Sequence, residues 1–122
     1  MNERVARVNN YFDQKIEQCN QCIHTLQADD RRDEANLEKV RANVYDIFRT
    51  ILSVAVKTGQ GDPEAVKRFF VSKTEQIPSG WVTSYEQAEK HGDAVKMAIE
   101  QIKLDTVDEI RQVFVQIWEG EG

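Results

Sequence analysis

The side chains with metal or redox character stand together in one short stretch, Cys19-Asn20-Gln21-Cys22-Ile23-His24. Thiolate and imidazole groups at such spacing can hold zinc. A Cys-x-x-Cys pair at the start of a helix can also exchange thiols, because the positive helix end stabilises a thiolate. Here the pair falls in the middle of a helical pattern, where that influence is missing. Cys19 lies on the apolar stripe, as a small core side chain does, and His24 points about 200° around the helix from Cys22. The histidine also comes one position too late for a haem attachment motif. The spacing favours structural cysteines. A zinc site at Cys19, Cys22 and His24 would still need a fourth ligand, from His91 or from another subunit.

Other acid–base resources are thin. The chain has two histidines, and His91, in Glu89-Lys90-His91-Gly92, belongs at a helix end beside the negative pole of the dipole. The Glu-x-x-His spacing of di-iron bundles is absent and the apolar stripes carry no acid, which argues against a di-metal enzyme. Nucleophile elbows, phosphate-cradling glycine loops and dinucleotide fingerprints are missing too; Gly59-Gln60-Gly61 reads as a helix-ending turn. The expectation is no catalytic residue and no cofactor.

Charge narrows the partners. Sixteen Lys and Arg stand against 21 Asp and Glu, a net charge of −5, the wrong sign for a domain that neutralises phosphates. Lys67, Arg68 and Lys73 do flank Phe69 and Phe70, but Glu64 and Glu75 accompany them, as on a solvated face. Residues 1–61 carry nine basic and nine acidic side chains, and residues 62–122 carry seven and twelve, so the whole deficit lies in the second half. Nucleic acid and membrane are not expected partners. The apolar run Ile51 to Val56 is broken by Ser53 and falls far short of the roughly 20 residues that cross a bilayer. With no apolar leader at the start and too few cysteines for a disulfide scaffold, the expected location is cytoplasmic.

The elements that must position these residues are helices. In 122 residues there are two prolines and six glycines, with 40% apolar and 30% charged side chains, the composition of a single folded helical domain over 1–122. Val5, Val8, Phe12, Ile16, Cys19, Ile23 and Leu26 recur every three or four positions and predict a long amphipathic helix from Asn2 to about Ala28. After a turn near Ala28 to Asp30, the series Leu37, Val40, Val44, Ile47, Phe48, Ile51, Leu52, Ala55 predicts a second, more deeply buried towards its end. Gly59 reads as its left-handed stop, and Asp62-Pro63 as a capping carboxylate with proline at the first helical position. A short third helix, Pro63 to about Gln76, presents Val66, Phe69 and Phe70.

Pro78-Ser79-Gly80-Trp81-Val82 then reads as a loop carrying a tryptophan plug or docking spot. Thr83 to Glu86 has capping-box spacing and predicts the start of a fourth helix. Its stripe continues through Tyr85, Ala88, Val95, Ala98, Ile99 and Ile102 to Ile110, Phe114 and Trp118. Gly92 and a second capping-box spacing at Thr106 interrupt it, and a single bent helix over 83–118 is the preferred reading, with 118–122 a fraying tail.

The sum is an all-α, antiparallel helical bundle of four to five helices, with long first, second and fourth helices. The polar middle of the first helix narrows its stripe to a coiled-coil-like seam. Val8, Phe12 and Ile16, together with Trp81 and Trp118, are therefore expected at a subunit interface. These features predict a non-enzymatic interaction module, homodimeric and able to dock another protein. The alternative is a bundle binding a small molecule or a metal, with a pocket at Phe69, Phe70 and Trp81, closed by Trp118.

Overall fold

The computed structural model describes residues 2–120, which form five helices: α1 (Asn2–Ala28), α2 (Arg32–Gly59), α3 (Pro63–Gln76), α4 (Pro78–Lys90) and α5 (Ala94–Glu119). There is no strand among the described residues. Only Ile77 separates α3 from α4, so the two together run the length of α5, and the architecture is that of a four-layer up-down-up-down bundle. α2 packs on α1, α3 and α5, while α4 packs on α5 and on the end of α3. α2 and α5 form the close diagonal of the bundle.

Each boundary has a local cause. At the first turn Asp30 takes the left-handed conformation (φ 58°), and the Arg31 amide donates back to the Leu26 carbonyl at 2.8 Å, closing the orphan carbonyls of α1. α2 ends differently from the expectation. The left-handed residues are Gln60 (φ 48°) and Gly61 (φ 85°), while Gly59 is still helical. Gly59 is there for space, because a Cβ on it would lie 2.7 Å from Val66 Cγ2 on α3. Asp62 then accepts from the Glu64 amide at 3.0 Å, with Pro63 at the first helical position, as its chemistry predicts.

The second half corrects three expectations. Pro78 to Val82 is not a loop but the opening of α4, because proline, with its fixed φ and no N–H to satisfy, suits a first helical turn. Thr83 therefore lies inside the helix, where its hydroxyl donates to the Ser79 carbonyl at 3.3 Å. The expected single helix over 83–118 is two, broken at Gly92 (φ 69°) and restarted by Asp93, which accepts from the Lys96 amide at 3.1 Å. Thr106, the other candidate break, is interior to α5 and donates to the Ile102 carbonyl at 2.7 Å. A capping-box spacing alone cannot tell a cap from a hydroxyl bonding back along its own helix. α5 runs to Glu119 with Trp118 only 2% exposed, so the expected fraying does not begin at 118. Glu121 and Gly122 lie outside the described residues.

The core gathers at one end. Phe70 stacks on Phe114 with centroids 4.1 Å apart, and Phe114 on Trp118 at 5.0 Å. Phe48 meets Phe70 edge-on at 6.0 Å, and Phe12 closes the cluster at 6.5 Å. This aromatic end holds the start of α1, the end of α2, α3 and the end of α5. The opposite, hairpin end holds the α1–α2 and α4–α5 turns. Val8 and Phe12, expected at a subunit interface, are 1% and 0% exposed and belong to this chain's own core. α1 spends its narrow stripe on α2 and α5, so the start of that seam is already covered.

Candidate functional site

Three interior polar groups join α1, α2 and α5. Tyr45, almost fully buried, donates its hydroxyl to Glu109 Oε2 at 2.8 Å, and the half-buried Tyr11 donates to the same oxygen. The two rings meet edge-on at 6.0 Å. Burial, then the Glu109 carboxylate, push both phenols above their ordinary range, since each favours the neutral hydroxyl. Both hydroxyls are thus held as donors to one carboxylate. The arrangement ties three helices together and offers neither phenol as a base or nucleophile. Sequence reading missed it, since its hydrogen bonds span 64 and 98 residues.

Beside it, burial and then Glu38 raise the Cys19 thiol to about 11, so it is inert at neutral pH. Cys19 is buried, whereas Cys22 and His24 are exposed. Among the described residues no three His, Cys, Asp or Glu side chains gather where they could hold a metal ion. His91 caps α4, its amide donating to the Gln87 carbonyl at 3.1 Å. The apolar stripe of α5 does carry a buried acid, contrary to expectation. Glu100 is 4% exposed and pairs with Lys103 at 3.2 Å, and that ammonium sits 5.6 Å over the Trp81 ring.

The aromatic residues expected to share a pocket do not converge. Phe70 is inside the core, while its neighbour Phe69 is half-buried at the core's edge, with the Lys73 ammonium 5.3 Å from its ring. Adjacent helical positions diverge by about 100°, which places the two on different walls. Trp118 donates Nε1–H to the Pro63 carbonyl at 3.2 Å and is covered by Arg4. Trp81 and Ile16 are half-buried against the core.

An apolar recess does exist, at the hairpin end. The first turns of α2 and α5 run side by side and leave a groove of about 330 Å³ lined by Asp33, Asn36, Leu37, Ala94, Val95, Ala98 and Ile99. Ala94 and Ala98 are too small to fill it. Val95 stands at its edge 71% exposed, against 42% for Val54 and 44% for Val82, the other large exposed apolar side chains. The sequence placed Val95, Ala98 and Ile99 on a core stripe; the structure leaves that stripe partly uncovered.

No protein-family model, curated protein or solved structure matches the chain. Among the described residues no helix is long and apolar enough to cross a membrane.

Proposed function

We propose that the chain is a non-catalytic interaction module that docks a partner helix in the groove between the starts of α2 and α5. The observation that carries this reading is Val95, 71% exposed beside the apolar wall formed by Leu37, Ala98 and Ile99. A valine left in water forfeits on the order of 1 kcal/mol or more of burial, and a contiguous recess beside it is the shape that receives the apolar face of an amphipathic helix. Against catalysis stands the state of the reactive groups: both interior phenols are engaged with Glu109 and the Cys19 thiol is raised. Among the described residues, Asp33 and Asn36 are the polar side chains in the groove walls. A small apolar ligand is the second reading. The groove volume lies at the low end of the roughly 300–1,000 Å³ typical of ligand sites, and so shallow a site would leave much of a ligand in water.

The test is photo-cross-linking in cell extract, with a benzophenone side chain in place of Val95 and a control in place of the exposed Gln14 on α1. Discrete adducts from the first position and none from the second are expected. Equal, diffuse labelling from both, or none from either, removes the docking reading.

A further inference from the structure

We infer that α4 is a releasable strap, a helix that lifts off α5 as one unit while the other four helices stay packed. Among the described residues it packs on α5 and on the end of α3 and reaches neither α1 nor α2. The buried side chains of its 13 residues are Pro78 and Ala88, and neither belongs to the core cluster, which draws on α1, α2, α3 and α5. From α4, Trp81 alone packs against that cluster. Among the described residues the side-chain hydrogen bonds of α4 stay local, from Ser79 to the Gln76 carbonyl and from Thr83 to the Ser79 carbonyl. α1, by contrast, is tied across the bundle by Tyr11 to Glu109 and by Asp13 to Arg49. Segments with few buried apolar contacts open at the low end of a protein's range of local stabilities.

Both ends of α4 are joints. Ile77 alone separates it from α3, and Pro78 has no N–H to carry the backbone ladder across. At the other end Gly92, in the left-handed conformation (φ 69°), lets the chain turn into α5. Between the joints the contact with α5 runs through charge. Glu100 and Lys103 lie one turn apart on α5, and the Lys103 ammonium stands 3.2 Å from Glu100 and 5.6 Å over the Trp81 ring, so this face is turned towards α4. An ion pair with one member 4% exposed gives up hydration when α4 docks and recovers it when α4 lifts. An apolar contact recovers nothing on release. The pair therefore makes this contact easier to open than the stack of Phe70, Phe114 and Trp118 at the aromatic end.

Native-state hydrogen exchange on the full chain, with urea added below the unfolding transition, tests this directly. In the wild-type chain the amides of residues 83–90 are expected to share one opening. It should be at least about tenfold more populated than the opening that exposes Phe48 and Leu52, and depend more weakly on urea. Leu52→Ala, on a helix that α4 does not reach, should speed exchange at Phe48 by about 30-fold or more and leave residues 83–90 unchanged. Lys103→Met, which strands Glu100 without its partner, should speed exchange at residues 83–90 by about fivefold or more. Adding Glu100→Leu should slow it again to the wild-type rate or below, because apolar groups then replace a buried ion pair. Equal exchange and equal urea dependence at residues 83–90 and at Phe48 in the wild-type chain overturn the strap, and so does a Leu52→Ala chain in which both move together. A Lys103→Met chain no faster than wild type, or a double variant no slower than the single, overturns the part assigned to the ion pair.

Discussion

At the end where α1 begins and α5 finishes, Phe12, Phe48, Phe70, Phe114 and Trp118 lie within 2% exposure of complete burial. At the other end, around the α1–α2 and α4–α5 turns, the buried set is Cys19, Ala35, Ala88 and Glu100. Burying a large apolar side chain contributes about 1.5–3 kcal/mol, whereas an alanine offers little area to bury. The aromatic end therefore supplies most of the free energy that folds the chain. The hairpin end is carried on it by the continuity of α2 and α5, and is left free to keep apolar surface in water. Large buried side chains lie at one end of these helices and the exposed groove at the other.

The sharpest way to break this comparison is to cut into the aromatic end. Phe70→Ala removes the ring that touches Phe12, Phe48 and Phe114 and should cost about 3–5 kcal/mol in urea unfolding. A loss below 1 kcal/mol would mean that the stack is not the principal support. Glu109→Leu comes next. It leaves the Tyr11 and Tyr45 hydroxyls without their acceptor and should cost about 2–4 kcal/mol, with Glu109→Gln costing less because an amide oxygen still accepts.

The third prediction concerns alkaline pH. Cys19 keeps its proton in the folded chain up to about 11, against an ordinary 9.0, so between those values the unfolded chain binds fewer protons and stability falls as pH rises. The fall should reach on the order of 2 kcal/mol. The raised phenols act in the same direction, from an ordinary 10.0 upward. Unfolding midpoints measured against pH should begin to drop near 9.0 in the wild-type chain and near 10.0 in Cys19→Ala. Coincident curves would remove the buried thiol from the account. Val95→Ala should have the smallest effect, within about 0.5 kcal/mol of wild type for the isolated chain. A larger loss would show that the hairpin end is packed after all.

What the sequence made legible was the chemistry that acts within a few residues. Asp62-Pro63 located the start of α3 because cap and proline work through their own backbone. The apolar periodicity of α1 and of the later half of α2 placed Val8, Phe48 and Leu52 on buried faces. Thr83 and Thr106 misled because the same hydroxyl and spacing serve a helix interior as well as a cap. Pro78 misled because proline closes one helix and opens the next with a single residue between. Val8 and Phe12 were assigned to another subunit because a stripe records that a face is covered and not what covers it. The same ambiguity hid the groove: Val95 continues a stripe with Ile99 and Ile102, and only the placement of α2 and α4 decides how much of it stays wet. The join of Tyr11, Tyr45 and Glu109 leaves no mark in any local window.

That join also sets an order of events. α1 meets α2, and α4 meets α5, across short turns, so each pair can assemble as a local hairpin at little loop-closure cost. The bonds from Tyr11 and Tyr45 to Glu109 bridge 98 and 64 residues and close only when the last helix reaches the first two. Glu109→Leu is therefore expected to speed unfolding and to leave the folding rate nearly unchanged, which the two limbs of a chevron plot would read.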